Sequence, residues 1–387
     1  MAKYDFDTVI NRFGTNSLKY DFILERGKPD GVLPMWIADM DFQAPPEVIA
    51  DIQNAVGHGI FGYSEPKEAY YNAVTEWFSS HFGFQAAQHE IIKAPCIVFA
   101  LAQAVLAFTM PGDAVLIQTP VYYPFYDITR DNDRKLVISP LINNNGTYTI
   151  DFKDFENKII INKVKLFILC NPHNPVGRVW TREELKNISD ICEKHGVIIL
   201  SDEIHCDFVW KGYTHTCFGL INENAVIATS PGKTFNIAGL QVSNIFVKNK
   251  ELRDKLEMAI RKSGYSQLNT IGLTACQSAY TKGGEWLKHL KEYLSENIRL
   301  TGDFLATRIP KIRFVNPEAT YLFWLDFSSF GLSQDELDRR ITMGAKLWLN
   351  SGTIFGEDGK GFERFNIACP KATLLDALGR LEKEFNS

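Results

Sequence analysis

The sequence lacks any excess of positive charge. Its 387 residues carry 41 Lys and Arg against 46 Asp and Glu, a net charge of −5, so no basic field is present to hold a polyphosphate backbone and nucleic acid is not an expected partner. No stretch approaches the ~18 uninterrupted apolar residues that read as a membrane span, so no membrane partner is expected either. The opening Met1-Ala2-Lys3-Tyr4-Asp5-Phe6-Asp7 has neither the basic region nor the apolar run of a secretory signal, and a cytoplasmic protein is expected. The seven cysteines are odd in number and form no Cys-x-x-Cys pair, which fits reduced core thiols. The eight histidines show no His-Glu-x-x-His or comparable spacing, so no metal site is expected. Internal repeats, charge blocks and low-complexity linkers are also missing.

What is there is an ordinary globular composition, with 45% apolar, 12% aromatic and 22% charged residues. The length exceeds the roughly 250–300 residues at which one core stops growing, so a large domain with a smaller one is expected. The middle of the chain alternates apolar runs with helical patterns, the signature of an α/β fold with a mostly parallel sheet covered on both faces. Residues 165–170 and 197–202 read as buried strands. Between them Thr181 and Glu184 have capping-box spacing at the start of a helix that closes before Gly196. Residues 113–118, 136–142, 225–229 and 241–247 read as further strands, and 97–108 as an apolar helix. The character changes near 285, where a long helical pattern (284–307) leads to strands at 312–315, 321–327 and 362–368. The expected division is an N-terminal segment, 1–45, packing with the small domain; a large domain, 46–284; and a small α+β domain, 285–387.

In open parallel sheets the ligand crevice lies at the carboxyl ends of the strands, and Asn174, Asp202 and Lys233 all follow such runs. Together they meet the needs of a pyridoxal phosphate site: a lysine to hold the cofactor covalently, an anion for the pyridine nitrogen and a donor for the ring oxygen. Lys233 lies in Ser230-Pro231-Gly232-Lys233-Thr234, a turn of small residues, where burial would lower its pKa. Asp202 ends an apolar strand 31 residues earlier and needs a partner there. Asn174 sits in Asn171-Pro172-His173-Asn174-Pro175-Val176-Gly177, whose prolines restrict where its amide points. Taken singly, each has a plainer reading, as a solvated turn lysine, a helix cap and a turn residue. Gly232-Lys233-Thr234 also matches the end of a nucleotide-binding P-loop, but the required first glycine is replaced by Ile227.

These motifs, with Ser201-Asp202-Glu203-Ile204-His205, Met35-Trp36-Ile37-Ala38-Asp39-Met40-Asp41-Phe42 and Arg364-Phe365-Asn366-Ile367-Ala368-Cys369-Pro370, resemble the fold type I aminotransferase superfamily. Within it the cystathionine β-lyase, or carbon-sulfur lyase, subgroup is the best match, over nearly the whole chain. The resemblance implies a seven-stranded, mostly parallel sheet and assigns roles by position. Lys233 carries the cofactor, Asp202 pairs with the pyridine nitrogen, Asn174 donates to the ring oxygen, and Tyr122 stacks on the ring, with Tyr123 as the alternative. Ser230 and the amides of Ile97 and Val98 hold the phosphate at a helix N-terminus, and His205 joins the cofactor set. Arg364 clamps the substrate carboxylate as a bidentate fork, near Tyr321, Asn174 and Ala38. Tyr63 reaches the phosphate of the partner subunit, which implies a homodimer with shared sites.

One departure is informative. Where the commoner aminotransferases place an arginine against the phosphate, eight residues after the lysine, this chain has Gln241, as the lyase subgroup does. Cys96 stands where the subgroup often has a phosphate-loop glycine. The expected activity is therefore α,β-elimination from cystathionine or a related cysteine S-conjugate, within methionine and sulfur amino-acid metabolism. The alternatives are transamination, which shares every step through the carbanion, and a lyase with an added regulatory protein interaction. No helix-turn-helix pattern precedes the first motif, so a dedicated DNA-binding regulator is not expected.

Overall fold

The structure is a computed structural model and describes residues 3–386. Seven strands form its main sheet: β1 (Ile91–Ala94), β2 (Ala114–Thr119), β3 (Lys135–Pro140), β4 (Leu166–Cys170), β5 (Ile198–Asp202), β6 (Val226–Thr229) and β7 (Ser243–Val247). Their order is β1-β7-β6-β5-β4-β2-β3, and β7 alone runs antiparallel to its neighbours. The apolar runs are continuous because both faces of this sheet are buried. Leu116, Phe167, Leu169, Ile199 and Ile227 pack into one apolar layer, and Val115, Ile117, Ile168, Leu200 and Ala228 into the other.

The register aligns Cys170 with Asp202 and Asp202 with Ala228, so the carboxyl ends of β4, β5 and β6 open at one edge. Asp202 shares the sheet face of Leu200, two residues earlier, which belongs to the layer built with helix α1 (Ile97–Phe108). Helix α2 (Arg182–Lys194) covers the other face. Its capping box is formed, Thr181 Oγ1 accepting from Glu184 N at 3.2 Å and Glu184 Oε2 from Thr181 N at 2.8 Å. Replacing Thr181 with Ala removes one of these bonds and should lower stability by about 1 kcal/mol, read as a fall in the denaturant midpoint at unchanged slope.

After the long helix α3 (Gly284–Arg308) comes a second, antiparallel sheet of β8 (Arg313–Val315), β9 (Leu322–Asp326), β10 (Asn350–Ser351) and β11 (Phe362–Asn366), ordered β8-β9-β11-β10. Three sequence expectations are corrected at strand ends. The strand expected over 136–142 stops at Pro140, and Ile142 opens a separate hairpin. The strand expected over 362–368 stops at Asn366, whose Oδ1 accepts from Ala368 N at 2.8 Å and turns the chain. The strand expected from 241 starts at Ser243, because Gln241 has left-handed backbone, φ 54°, at the end of a 3₁₀ turn.

Residues 3–45 are mostly irregular, but they are tied down. Leu33–Pro34 pairs in parallel with Leu347–Trp348, and the Trp36 and Trp348 rings stack at 4.4 Å and 11°. Residues 36–38 then run along the carboxyl edge of the main sheet, on a cavity that Arg364 of β11 also lines.

Candidate active site

A cavity of about 210 Å³ opens at the carboxyl ends of β4 and β5, the N-terminus of α1 and β11. It brings together most of the residues singled out in the sequence: Ala38, Ile97, Val98, Tyr122, Asn174, Asp202, His205, Ser230, Lys233 and Arg364 all line it. Tyr321 stands behind this lining and reaches it through Ala38, donating from Oη to the Ala38 carbonyl at 3.2 Å. Tyr63 is not brought to the cavity of its own chain; its side chain is 98% exposed.

Lys233 is delivered by a single helical turn, Pro231–Thr234, rather than by an irregular turn. Ser230 caps it, accepting from Gly232 N at 3.0 Å, and Pro231 fits the first position, where no amide hydrogen is needed. Thr234 anchors the turn from below, donating to Asp207 Oδ2 at 2.6 Å. Nζ of Lys233 donates to the Ala38 carbonyl. Burial pulls its pKa down to about 8; Asp39 opposes the shift, Arg364 reinforces it and Asp202 opposes it.

The carboxylate of Asp202, the last residue of β5, accepts only from Ile204 N among the described residues, at 3.1 Å. Burial raises its carboxyl to about 7, against the Ile204 hydrogen bond, and the nearby lysine also favours the charged form. A cation or a hydrogen-bonded cationic ring nitrogen placed against it would restore the carboxylate. His205 is pushed down to about 3 by burial, with Lys233 and Arg364 adding to the effect, so its ring is neutral at working pH. Its Nδ1 is buried with no partner among the described residues.

Arg364 is buried in β11 and held from three directions. Nη1 donates to Asn174 Oδ1 at 3.0 Å, and Nη2 to Trp36 O at 3.0 Å and Asn350 Oδ1 at 2.6 Å. Its Nε is buried without a partner among the described residues, and its guanidinium carbon lies 4.8 Å from the Phe355 ring centroid. Burial lowers its pKa to about 10, with Tyr122, Tyr123 and Tyr321 partly compensating. No carboxylate pairs with it among the described residues, so a buried cation is left facing the cavity, as a carboxylate-binding fork requires.

The rest of the lining suits an aromatic phosphate ester. The side chain of Cys96 makes no capping bond, which leaves the first amides of α1 at Ile97 and Val98 for an anion. Tyr122 and Tyr123 present tilted rings 5.3 Å apart, Tyr122 the more buried of the two. Ser230 lines the cavity as well, its hydroxyl donating to Val242 O at 2.7 Å. An amine of lowered pKa, an underpaired carboxylate, a flat aromatic wall and a free helix N-terminus together fit pyridoxal phosphate. Asn350 and the Trp36 carbonyl were missed in the sequence. Asn350 lies in a two-residue strand with no motif, and a backbone carbonyl carries no side-chain signal at all.

The chain is similar to known proteins over nearly its whole length. The chain is 42% identical over 382 residues to cystathionine beta-lyase PatB of Bacillus subtilis (strain 168), covering 98% of this chain and 99% of that protein. Its fold superposes on cystalysin from Treponema denticola, whose structure contains pyridoxal 5'-phosphate, with a TM-score of 0.96 and 36% identity over 99% of each chain. The PLP-bound C-S lyase from Staphylococcus hominis gives 0.93 and 33%, over 99% of this chain and 98% of that one. With residues 31–381 matching as well, the chain belongs to the aminotransferase class I and II family.

Proposed function

We propose that this chain is a pyridoxal-phosphate-dependent carbon-sulfur β-lyase that cleaves cystathionine or related L-cysteine S-conjugates to a thiol, pyruvate and ammonia. The observation that carries the reading is the meeting of the Lys233 amine, the Asp202 carboxylate and the unpaired Arg364 fork in one cavity. The names of PatB and of the C-S lyase support the choice of elimination within the family. Gln241 also lines the cavity, with a neutral amide in place of an arginine.

Bound pyridoxal phosphate supplies the electron sink that makes an amino-acid Cα–H acidic. Arg364 holds the substrate carboxylate and so fixes which Cα bond faces Lys233. Lys233 Nζ takes the Cα proton as general base, a task suited to an amine with a pKa of about 8. Asp202 keeps a proton on the ring nitrogen, and Asn174, its Oδ1 engaged by Arg364, turns its amide hydrogens toward the ring oxygen. Tyr122 forms the wall of the ring site, the α1 amides of Ile97 and Val98 hold the phosphate beside Ser230, and neutral His205 adds a hydrogen-bonding group without charge. Loss of the β-thiolate leaves aminoacrylate, which water converts to pyruvate and ammonia.

Exposed Ile60, Phe61 and Tyr63 support a homodimer in which Tyr63 completes the partner's site. A place in methionine metabolism and a cytoplasmic location complete the reading. Separate sheets support the division at about residue 285, and the pairing of Leu33–Pro34 with Leu347–Trp348 supports the packing of the N-terminal segment with the small domain. Purified protein incubated with cystathionine and no keto acid should release pyruvate and thiol in equal amounts. Turnover that requires a keto-acid acceptor would make the enzyme a transaminase instead.

A further inference from the structure

Residues 35–42 contribute no reacting side chain, yet the site grips their backbone throughout. Arg364 donates to the Trp36 carbonyl at 3.0 Å, Lys233 and Tyr321 donate to that of Ala38, and Asn366 Nδ2 to those of Ile37 and Asp39 at 2.7 Å each. Asn236 closes the far end, accepting from Met40 N at 3.0 Å and donating to the Met40 and Phe42 carbonyls at 2.9 and 2.8 Å.

The side chains of the same segment meet a second set of partners. Asp41 accepts from Lys19 Nζ at 2.8 Å and Arg12 Nη1 at 2.7 Å. Asp39 accepts from Arg12 Nη2 at 2.8 Å and lies 3.6 Å from Lys19 Nζ. Lys19 is 1% exposed and Asp41 5%. Buried ion clusters of this kind add little net stability over apolar packing, because desolvation offsets the attraction. What they do supply is one fixed arrangement.

The charged and titratable groups around the Lys233 amine are Asp39 from the N-terminal segment, Asp202 and His205 from the end of β5, and Arg364 and Tyr321 from the small sheet. Asp39 is the member of this set joined by ion pairs to residues 12 and 19. It also bears on the amine more strongly than Asp202 does.

We propose that Arg12 and Lys19 are positioning residues for Lys233: through Asp39 and Asp41 they fix residues 36–41 so that the Ala38 carbonyl meets Nζ, and they partly neutralise the Asp39 charge beside it. The proposal rests on Lys233 being the cofactor lysine. Neither Arg12 nor Lys19 touches the cavity, so both act through the aspartates.

The test is a pH titration of the visible cofactor band of the holoenzyme, which reads protonation at the Lys233 nitrogen. Asp39→Asn removes a charge that favours the protonated form and should lower the midpoint by about one pH unit. Arg12→Ala leaves Asp39 less neutralised and should raise it, and Arg12→Lys should return it toward the wild-type value. A packing role alone would not give displacements of opposite sign. Lys19→Met combined with Asp41→Asn removes the buried pair without stranding either charge. It should lower kcat about tenfold with KM within about twofold, since alignment of the base is lost while the Arg364 fork remains. Midpoints that stay at the wild-type value, or that move in the same direction in Asp39→Asn and Arg12→Ala, overturn the proposal. Borohydride reduction followed by peptide mapping of the same samples reads cofactor attachment to Lys233 separately, so a wrong lysine is distinguished from a wrong cluster.

Discussion

Lys233→Ala should abolish turnover while leaving a folded protein that still takes up pyridoxal phosphate without covalent attachment. The expected loss in kcat is on the order of 10²–10⁴ from general-base catalysis alone. The fold should survive because the amine's one hydrogen bond is to the Ala38 carbonyl, which Tyr321 also holds. The pH dependence follows from the direction of the shift. Burial lowers the amine from 10.5 to about 8, so at pH 7 about one molecule in ten carries the neutral, nucleophilic form, against about one in three thousand for an ordinary lysine. Rebinding of cofactor to wild-type apoprotein should therefore slow about tenfold per pH unit below 8 and level off above it. Mass spectrometry after borohydride reduction checks the attachment, and partial restoration of Lys233→Ala by a small added amine checks that the missing group is a base. A Lys233→Ala protein that kept a reducible band would show the cofactor lysine to be elsewhere.

The main sheet is readable in the sequence because of where it lies. Strands buried on both faces, such as β4 and β5, become unbroken apolar runs, and their ends become places where a polar residue stands out; Asp202 is legible for that reason. Helix α1 is legible at both ends, since the residues after Phe108 pass directly into Met110-Pro111-Gly112. Less local features do not announce themselves. Gln241 stands between Leu240 and Val242, and only its left-handed backbone shows that β7 begins later. Nothing in the local sequence marks Lys19 as buried, since its partner is Asp41, 22 residues away. The bond from the Ser230 hydroxyl to the Val242 carbonyl, 12 residues on, is likewise invisible in the sequence. Motifs report which side chains are present at a site; the partners that orient them come from tertiary packing.

Replacing Arg364 should have the next largest effect, and Arg364→Lys should be nearly as damaging as Arg364→Ala. The guanidinium satisfies Asn174 Oδ1, Trp36 O and Asn350 Oδ1 while retaining Nε and its remaining hydrogens for a substrate. Those acceptors diverge and take three of the five guanidinium hydrogens; a substrate carboxylate forms the bidentate pair with Nε and Nη2 by replacing one of the Nη2 acceptors, which the planar fork allows. A lysine ammonium has three donors and cannot do both. Loss of a charge-assisted bidentate contact costs about 3–4 kcal/mol, so kcat/KM should fall on the order of 10²–10³. Most of this should enter through KM, because the carboxylate is bound in the ground state as well as during proton removal. Some should enter through kcat, because the same contact decides which Cα bond faces Lys233, and because Asn174 loses the donor that fixes its amide. The cofactor band should be little changed in Arg364→Ala, since the cofactor's covalent anchor and the α1 amides are untouched. Steady-state kinetics beside a cofactor titration separate the two effects: weakened cofactor binding with unchanged KM would assign Arg364 to the cofactor rather than to the substrate.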